Sequence, residues 1–179
     1  MKMSNAIDTI LKHEGGYTNN PKDTGNYNYD KELVGTNFGI SAKVYEDYTG
    51  KPATASDIEN MTEDTARKIY NKNYITPVTE NLGIPEDSPI FEQVVDMVVN
   101  HGYSNTVPIV QRAVNTKVDG ASGKGTRKAI QKALKNPDSL QKELVKNRAG
   151  FYNDIVKRDP NQSVFLKGWL NRAYSFLPE

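Results

Sequence analysis

Three observations in this sequence predict an all-α fold. Apolar residues recur at helical spacing, above all at Ile7, Ile10 and Leu11 and at Phe91, Val94, Val95, Val98 and Val99. Cap and stop residues bracket such segments at the spacings helices need. No alternating strand pattern runs longer than a few residues, and no internal repeat or low-complexity tract is present.

The elements follow in order. Ile7, Ile10 and Leu11 start an apolar stripe whose i+7 member is Glu14, and Gly15-Gly16 then ends the helix. Tyr17 to Thr36 is a long polar loop rich in Asn, Asp, Gly and Tyr, with room for a small hairpin; loops of that length are usually functional or disordered. Ser41 caps a short helix running to Tyr48 with Gly50 beyond it, and Thr62 caps another through Ala66, Ile69 and Tyr70, with Pro77 past its stop. Ser88-Pro89 reads as an N-cap followed by proline at the first helical position. The helix it opens ends at Asn100-His101-Gly102 and sets Glu92, Gln93, Asp96 and Asn100 on the face opposite its apolar residues. Further helices are expected at about 106–115, 126–134, 138–157 and 163–176, with a turn at Val118-Asp119-Gly120-Ala121-Ser122-Gly123. Two segments, 1–82 and 83–179, are expected to share one core, because the 91–100 helix has too much apolar surface for one small half.

The 179 residues contain no cysteine, which excludes disulfides, thiolate metal sites and a catalytic thiol. The net charge of +1 hides an asymmetry. Residues 1–123 hold 11 Lys+Arg against 17 Asp+Glu, and residues 124–179 hold 12 against 5. The basic C-terminal third suits either a solvated helix face or an anionic partner such as cell wall, nucleic acid or membrane. The start, Met-Lys-Met-Ser-Asn-Ala, lacks a signal peptide's apolar region, and no stretch approaches a membrane helix in length. These features lead us to expect a cytoplasmic product without stable membrane insertion.

The residues narrow the chemistry. Only His13 and His101 are available, in no ligand-pair spacing, so metal hydrolysis is poorly supplied; no Gly-x-Ser-x-Gly elbow or phosphate loop is present. Carboxylate acid–base chemistry remains. Glu14, at a helix C-terminus and on the core side, meets the negative end of the dipole and partial desolvation, and both raise a carboxyl pKa toward that of a general acid. A solvated Glu that merely precedes a cap is the competing reading. Glycosidic hydrolysis needs a second group, for which Asp23, Asp30 and Glu32 are available, while Tyr17, Tyr27 and Tyr29 offer rings for sugar faces. Trp169, beside Phe165 and Leu166, reads as a core residue rather than a sugar platform.

Glu14-Gly15-Gly16-Tyr17, Asn20-Pro21-Lys22-Asp23-Thr24-Gly25 and Gly35-Thr36-Asn37-Phe38-Gly39-Ile40-Ser41 resemble the N-terminal signature of the glycoside hydrolase 108 family. Thr62 to Ala66, Ile69-Tyr70, Tyr74 and Pro77 continue the likeness. The segment from Phe91 to Gly102, then Gln111 to Val114, Val118-Asp119-Gly120, Gly123, Gly168-Trp169 and Arg172 resemble the family's predicted peptidoglycan-binding half. The resemblance implies a lysozyme-like fold and an N-acetylmuramidase of the phage endolysin type, working without metal or organic cofactor. It implies Glu14 as the catalytic acid. Asp23 and Thr36 are similar in order to the Asp and Thr that position a water in phage-type lysozymes. The loop between Asp23 and Gly35 is extended, which keeps Asp30 as the alternative second carboxylate, and Lys124-Gly125 replaces the usual proline after Gly123.

Tyr17, Asp30, Asn37, Asp96 and Asn100 are the residues expected to contact substrate. Peptidoglycan is the expected partner of a monomeric enzyme that reaches the wall through a holin or an equivalent channel, with no nucleic acid involved. Three further readings stay open: a lytic transglycosylase using Glu14 alone, a non-catalytic wall-binding or virion component, and a nucleic-acid-binding helical protein, against which the acidic N-terminal half argues.

Overall fold

A computed structural model describes residues 3–13 and 15–179. The chain divides into two compact units, Lys2–Ile75 and Thr76–Glu179. No helix among the described residues is long and apolar enough to cross a membrane.

The first unit runs α1 (Met3–His13), a 3₁₀ turn (Thr24–Asn26), β1 (Thr36–Asn37), β2 (Ile40–Ser41), α2 (Ala42–Thr49), α3 (Ala55–Glu59) and α4 (Glu63–Tyr70). A small hairpin does exist, with β1 and β2 antiparallel and Thr36 opposite Ser41. The expected caps are in place. Val44 N–H donates to Ser41 Oγ at 3.4 Å, Thr65 N–H donates to Thr62 Oγ1 at 3.2 Å, and Gly50 ends α2 at φ 72°. Helix α3 was not expected: Thr54 and Asp57 form a reciprocal capping box, and a single residue of the helix, Ile58, is buried. Ile7, Val34, Ile40, Ile58, Ile69 and Ile75 are among the buried apolar residues of this unit.

A π-helical turn, Asn71–Ile75, follows α4, and a second, Pro77–Asn81, opens the other unit. Pro77 is therefore not beyond a stop; it opens the second π turn within a helical run that is unbroken from 63 to 81. Helices α5 (Phe91–His101), α6 (Tyr103–Ala113), α7 (Lys124–Ala133), α8 (Pro137–Arg158) and α9 (Ser163–Tyr174) complete the unit. Ser88-Pro89 does not cap α5, which begins at Phe91 with Ile90 in the cap position and no side-chain bond there.

Helix α5 is buried nearly all round. Phe91, Val94 and Met97 are fully enclosed, and so is Gln93 on the face read as polar. Gln93 Nε2 donates to Gln141 Oε1 of α8 at 3.0 Å, which satisfies one end of the buried amide, while its Oε1 has no partner. Helix α8 packs against both α6 and α9.

Candidate active site

The expected open loop is built around buried amides. Asn26 and Asn28 are 0% and 1% exposed. The Asn26 carbonyl accepts from the N–H groups of Val34 and Gly35, each at 2.9 Å, and its Nδ2 donates to the Asn20 carbonyl at 2.9 Å. Asn28 Nδ2 donates to the Ala53 carbonyl at 3.1 Å, and its Oδ1 accepts from Glu32 N–H at 2.9 Å. The buried Glu46 of α2 completes the frame by accepting from Tyr29 N–H at 3.0 Å and Ala53 N–H at 2.8 Å. Interior amides supply what a long loop lacks, partners for its own backbone.

Within this frame Asp23 and Thr36 meet at one glycine. Asp23 caps the 3₁₀ turn, its Oδ1 accepting from Gly25 N–H at 2.9 Å. Thr36 Oγ1 donates to the Gly25 carbonyl at 3.4 Å, a long hydrogen bond that a water can replace. Asp23 is exposed and Thr36 half-buried. Thr36 also holds the stretch that follows Glu14, because Thr18 and Thr36 exchange backbone hydrogen bonds of 2.8 Å in both directions. Gly35 makes that approach feasible. It sits at φ +100°, and a Cβ there would lie 2.4 Å from Tyr17 Cε2 and 2.7 Å from the Thr18 carbonyl oxygen.

Glu14 lies outside the described residues. Tyr17 is half-buried, with its hydroxyl donating to the Val34 carbonyl at 3.1 Å. Asn37 is turned into the fold, donating to the Ile58 and Glu59 carbonyls at 3.0 and 3.2 Å and accepting from Phe38 N–H, which leaves little for a substrate. Asp30 is exposed at a tight turn and borders a hollow with Tyr29, Glu46, Asp47 and Lys51. Tyr29 is the exposed ring of the three loop tyrosines. Its hydroxyl donates to Asp47, which raises its pKa, and Lys43 Nζ lies 5.5 Å from the ring centroid. Among the described residues no group of three His, Asp or Glu side chains is placed to hold a metal ion.

Asp96 and Asn100 belong to the second unit. Asp96 was expected to contact substrate, but arginines of α8 and α9 occupy its carboxylate. Its carboxylate pairs with the fully buried Arg148, and accepts from Arg172 Nε at 2.8 Å. Arg148, one of the twelve cations of the basic C-terminal third, is thus an interior residue whose Nε donates to Tyr152 Oη at 2.8 Å. Asn100 is exposed at the rim of a pocket that also contains His101, Phe151, Tyr152 and Trp169. Trp169, expected in the core, is half-buried there, 5.5 Å from the Tyr152 ring and 5.8 Å from Phe165. Burial, reinforced by the Arg148 charge, lowers the His101 pKa to about 4, while Asp96 acts in the opposite sense. The aromatic pairing of α8 with α9 had one sequence signal, Phe151-Tyr152 lying opposite a lone tryptophan.

Comparison with known proteins bears on both units. Residues 7–102 match the family model described as Glycosyl hydrolase 108, and residues 105–174 match a Predicted Peptidoglycan domain. The chain resembles the structure of SagA from Brucella abortus, with 25% identity and a TM-score of 0.69, over 97% of this chain and 90% of that one. No match was found among curated protein sequences. The fold is mainly helical and lysozyme-like, as expected. The family match spans more than half of the chain and takes in the Asp23–Gly25–Thr36 cluster. The chain belongs to the glycosyl hydrolase 108 family and is a glycosidase that acts on peptidoglycan.

Proposed function

We propose that the protein is an N-acetylmuramidase, hydrolysing the β-1,4 bond between N-acetylmuramic acid and N-acetylglucosamine. Glu14 donates the proton to the leaving oxygen. Asp23, helped by the Thr36 hydroxyl, holds and activates the attacking water. The observation that carries this reading is the joining of Asp23 and Thr36 at Gly25, beside a chain segment that leads directly from Glu14. Two oxygen-bearing side chains from distant loop positions converge there, and one is an exposed carboxylate with a second oxygen to offer. A base that activates water gives inversion at the anomeric carbon, with the carboxyls about 6.5–9.5 Å apart. Tyr17 and Asp30 are further substrate contacts in this reading, and the endolysin role, with release through a holin or an equivalent channel, rests on family resemblance.

The test is Glu14→Gln and Asp23→Asn on purified sacculi, with mass spectrometry of the products. Wild-type enzyme should release muropeptides with reducing muramic acid ends, formed first as the inverted anomer by proton NMR. Glu14→Gln should lose about 10²–10⁴-fold in rate, the usual contribution of a general acid. Products ending in 1,6-anhydro muramic acid, with Asp23→Asn fully active, would replace hydrolysis by transglycosylation.

A further inference from the structure

The second unit carries two hollows on either side of Phe151, and their chemistry differs. The first, about 280 Å³, has Phe151, Tyr152 and Trp169 as walls and Asn100, Gln162 and Arg172 among its polar groups. That size lies at the low end for ligand cavities and suits a single ring rather than a chain. His101 lines the same pocket and packs 4.9 Å from the Phe151 ring, yet both of its ring nitrogens are buried without a partner. A neutral imidazole has one donor and one acceptor to satisfy. An acetamido group offers the complementary pair, one carbonyl and one N–H. Aromatic walls with polar groups at the edge are the means by which a protein takes a sugar's apolar face and its hydroxyls together.

The second hollow, about 520 Å³, is cationic. Arg112 of α6 and Lys157 and Arg158 of α8 line it against one carboxylate, Asp154. Each cation also complements the negative end of its own helix, but their convergence from two helices onto one hollow does not follow from that. The compartments are tied together, since Phe151 borders both and Asn105 of the cationic one donates to the His101 carbonyl at 2.8 Å.

We infer that this unit binds peptidoglycan in two compartments, an N-acetylated sugar ring beside Trp169 and His101, and the carboxylates of the attached stem peptide beside Arg112 and Arg158. The inference rests on the reading of the chain as a peptidoglycan hydrolase and adds where, and by what, the polymer is held. It predicts that sugar and peptide are recognised jointly and that neutral glycans bind less well.

Trp169 is the only tryptophan, so its emission reports the aromatic pocket directly. The probe is the disaccharide–peptide with N-acetylglucosamine on muramic acid, which holds no bond for a muramidase to cut, titrated into the full chain. It should shift Trp169 emission and bind at least about tenfold more tightly than the same disaccharide without peptide. Arg112→Gln with Arg158→Gln, both exposed positions, should abolish that advantage and leave the affinity for the bare disaccharide unchanged. No emission change with either ligand would overturn the inference. So would equal affinities untouched by the double substitution. A chain that binds the probe but releases nothing from sacculi keeps this site and refutes the muramidase reading; one that cleaves sacculi with Trp169 silent does the reverse.

Discussion

Replacing Asp96 by asparagine should unfold the second unit at markedly lower denaturant, because Asp96 answers a charge that has no other exit. Its side chain is 10% exposed and its partner Arg148 is fully buried. Arginine cannot neutralise itself by losing a proton. Asparagine preserves the shape, but its neutral amide leaves the guanidinium uncompensated. Breaking a buried pair in this way costs about 3–5 kcal/mol. A domain of this size has about 5–15 kcal/mol in total. With a urea dependence of about 2 kcal/mol per molar, the midpoint should fall by about 1.5–2.5 M. Trp169, beside Tyr152, reports the transition. Asp96→Leu with Arg148→Met should recover most of the loss, since removing both charges leaves none stranded, and Arg172, 56% exposed, can turn to solvent. A shift below about 0.5 M for Asp96→Asn would refute the ion-pair account and return Asp96 to the substrate contacts expected from sequence.

Two other perturbations follow from local geometry and charge. Gly35→Ala combines a positive φ with a Cβ 2.7 Å from backbone, so it should cost at least about 1–3 kcal/mol and lower Tm by about 5–10 °C, while Gly50→Ala, also at positive φ but with open space, should cost less; equal melting of the two would refute the steric reading. His101 titrates near 4 folded and near 6.5 unfolded, so the unfolded chain binds more protons between those values and stability must fall as pH drops from about 6.5 to 4, and stay flat above. The loss should be about 2 kcal/mol after allowing for the ring's partial exposure, and His101→Gln should remove it; an unchanged slope would assign the pH dependence to other groups.

How much of this was legible in the sequence depends on how far apart the partners are. Ser41, Thr62, Gly50 and Gly102 mark helix ends through bonds that span three or four residues, and each was readable. The π turns of 71–81 were not, because one extra residue per turn changes the apolar spacing too little to notice. Asn26 and Asn28 look like surface residues, and only a folded loop shows that its backbone consumes them. At the site, Asp23 and Thr36 were named from their order along the chain, but their meeting at Gly25 is tertiary. The polar face of α5 was visible, whereas its partners lie 52 and 76 residues further on, where no periodicity points.

That same separation sets a timetable for synthesis. At about 5–20 residues per second, Asp96 leaves the ribosome roughly 4–15 s before Arg172. During that interval Asp96 has no Arg172 to pair with, and for most of it Arg148 has not been made. The first unit, complete by Ile75, has all of its own chain available throughout. A chain cut short before α9 would therefore leave a finished N-terminal unit joined to an open helical bundle, a natural substrate for chaperones and proteases.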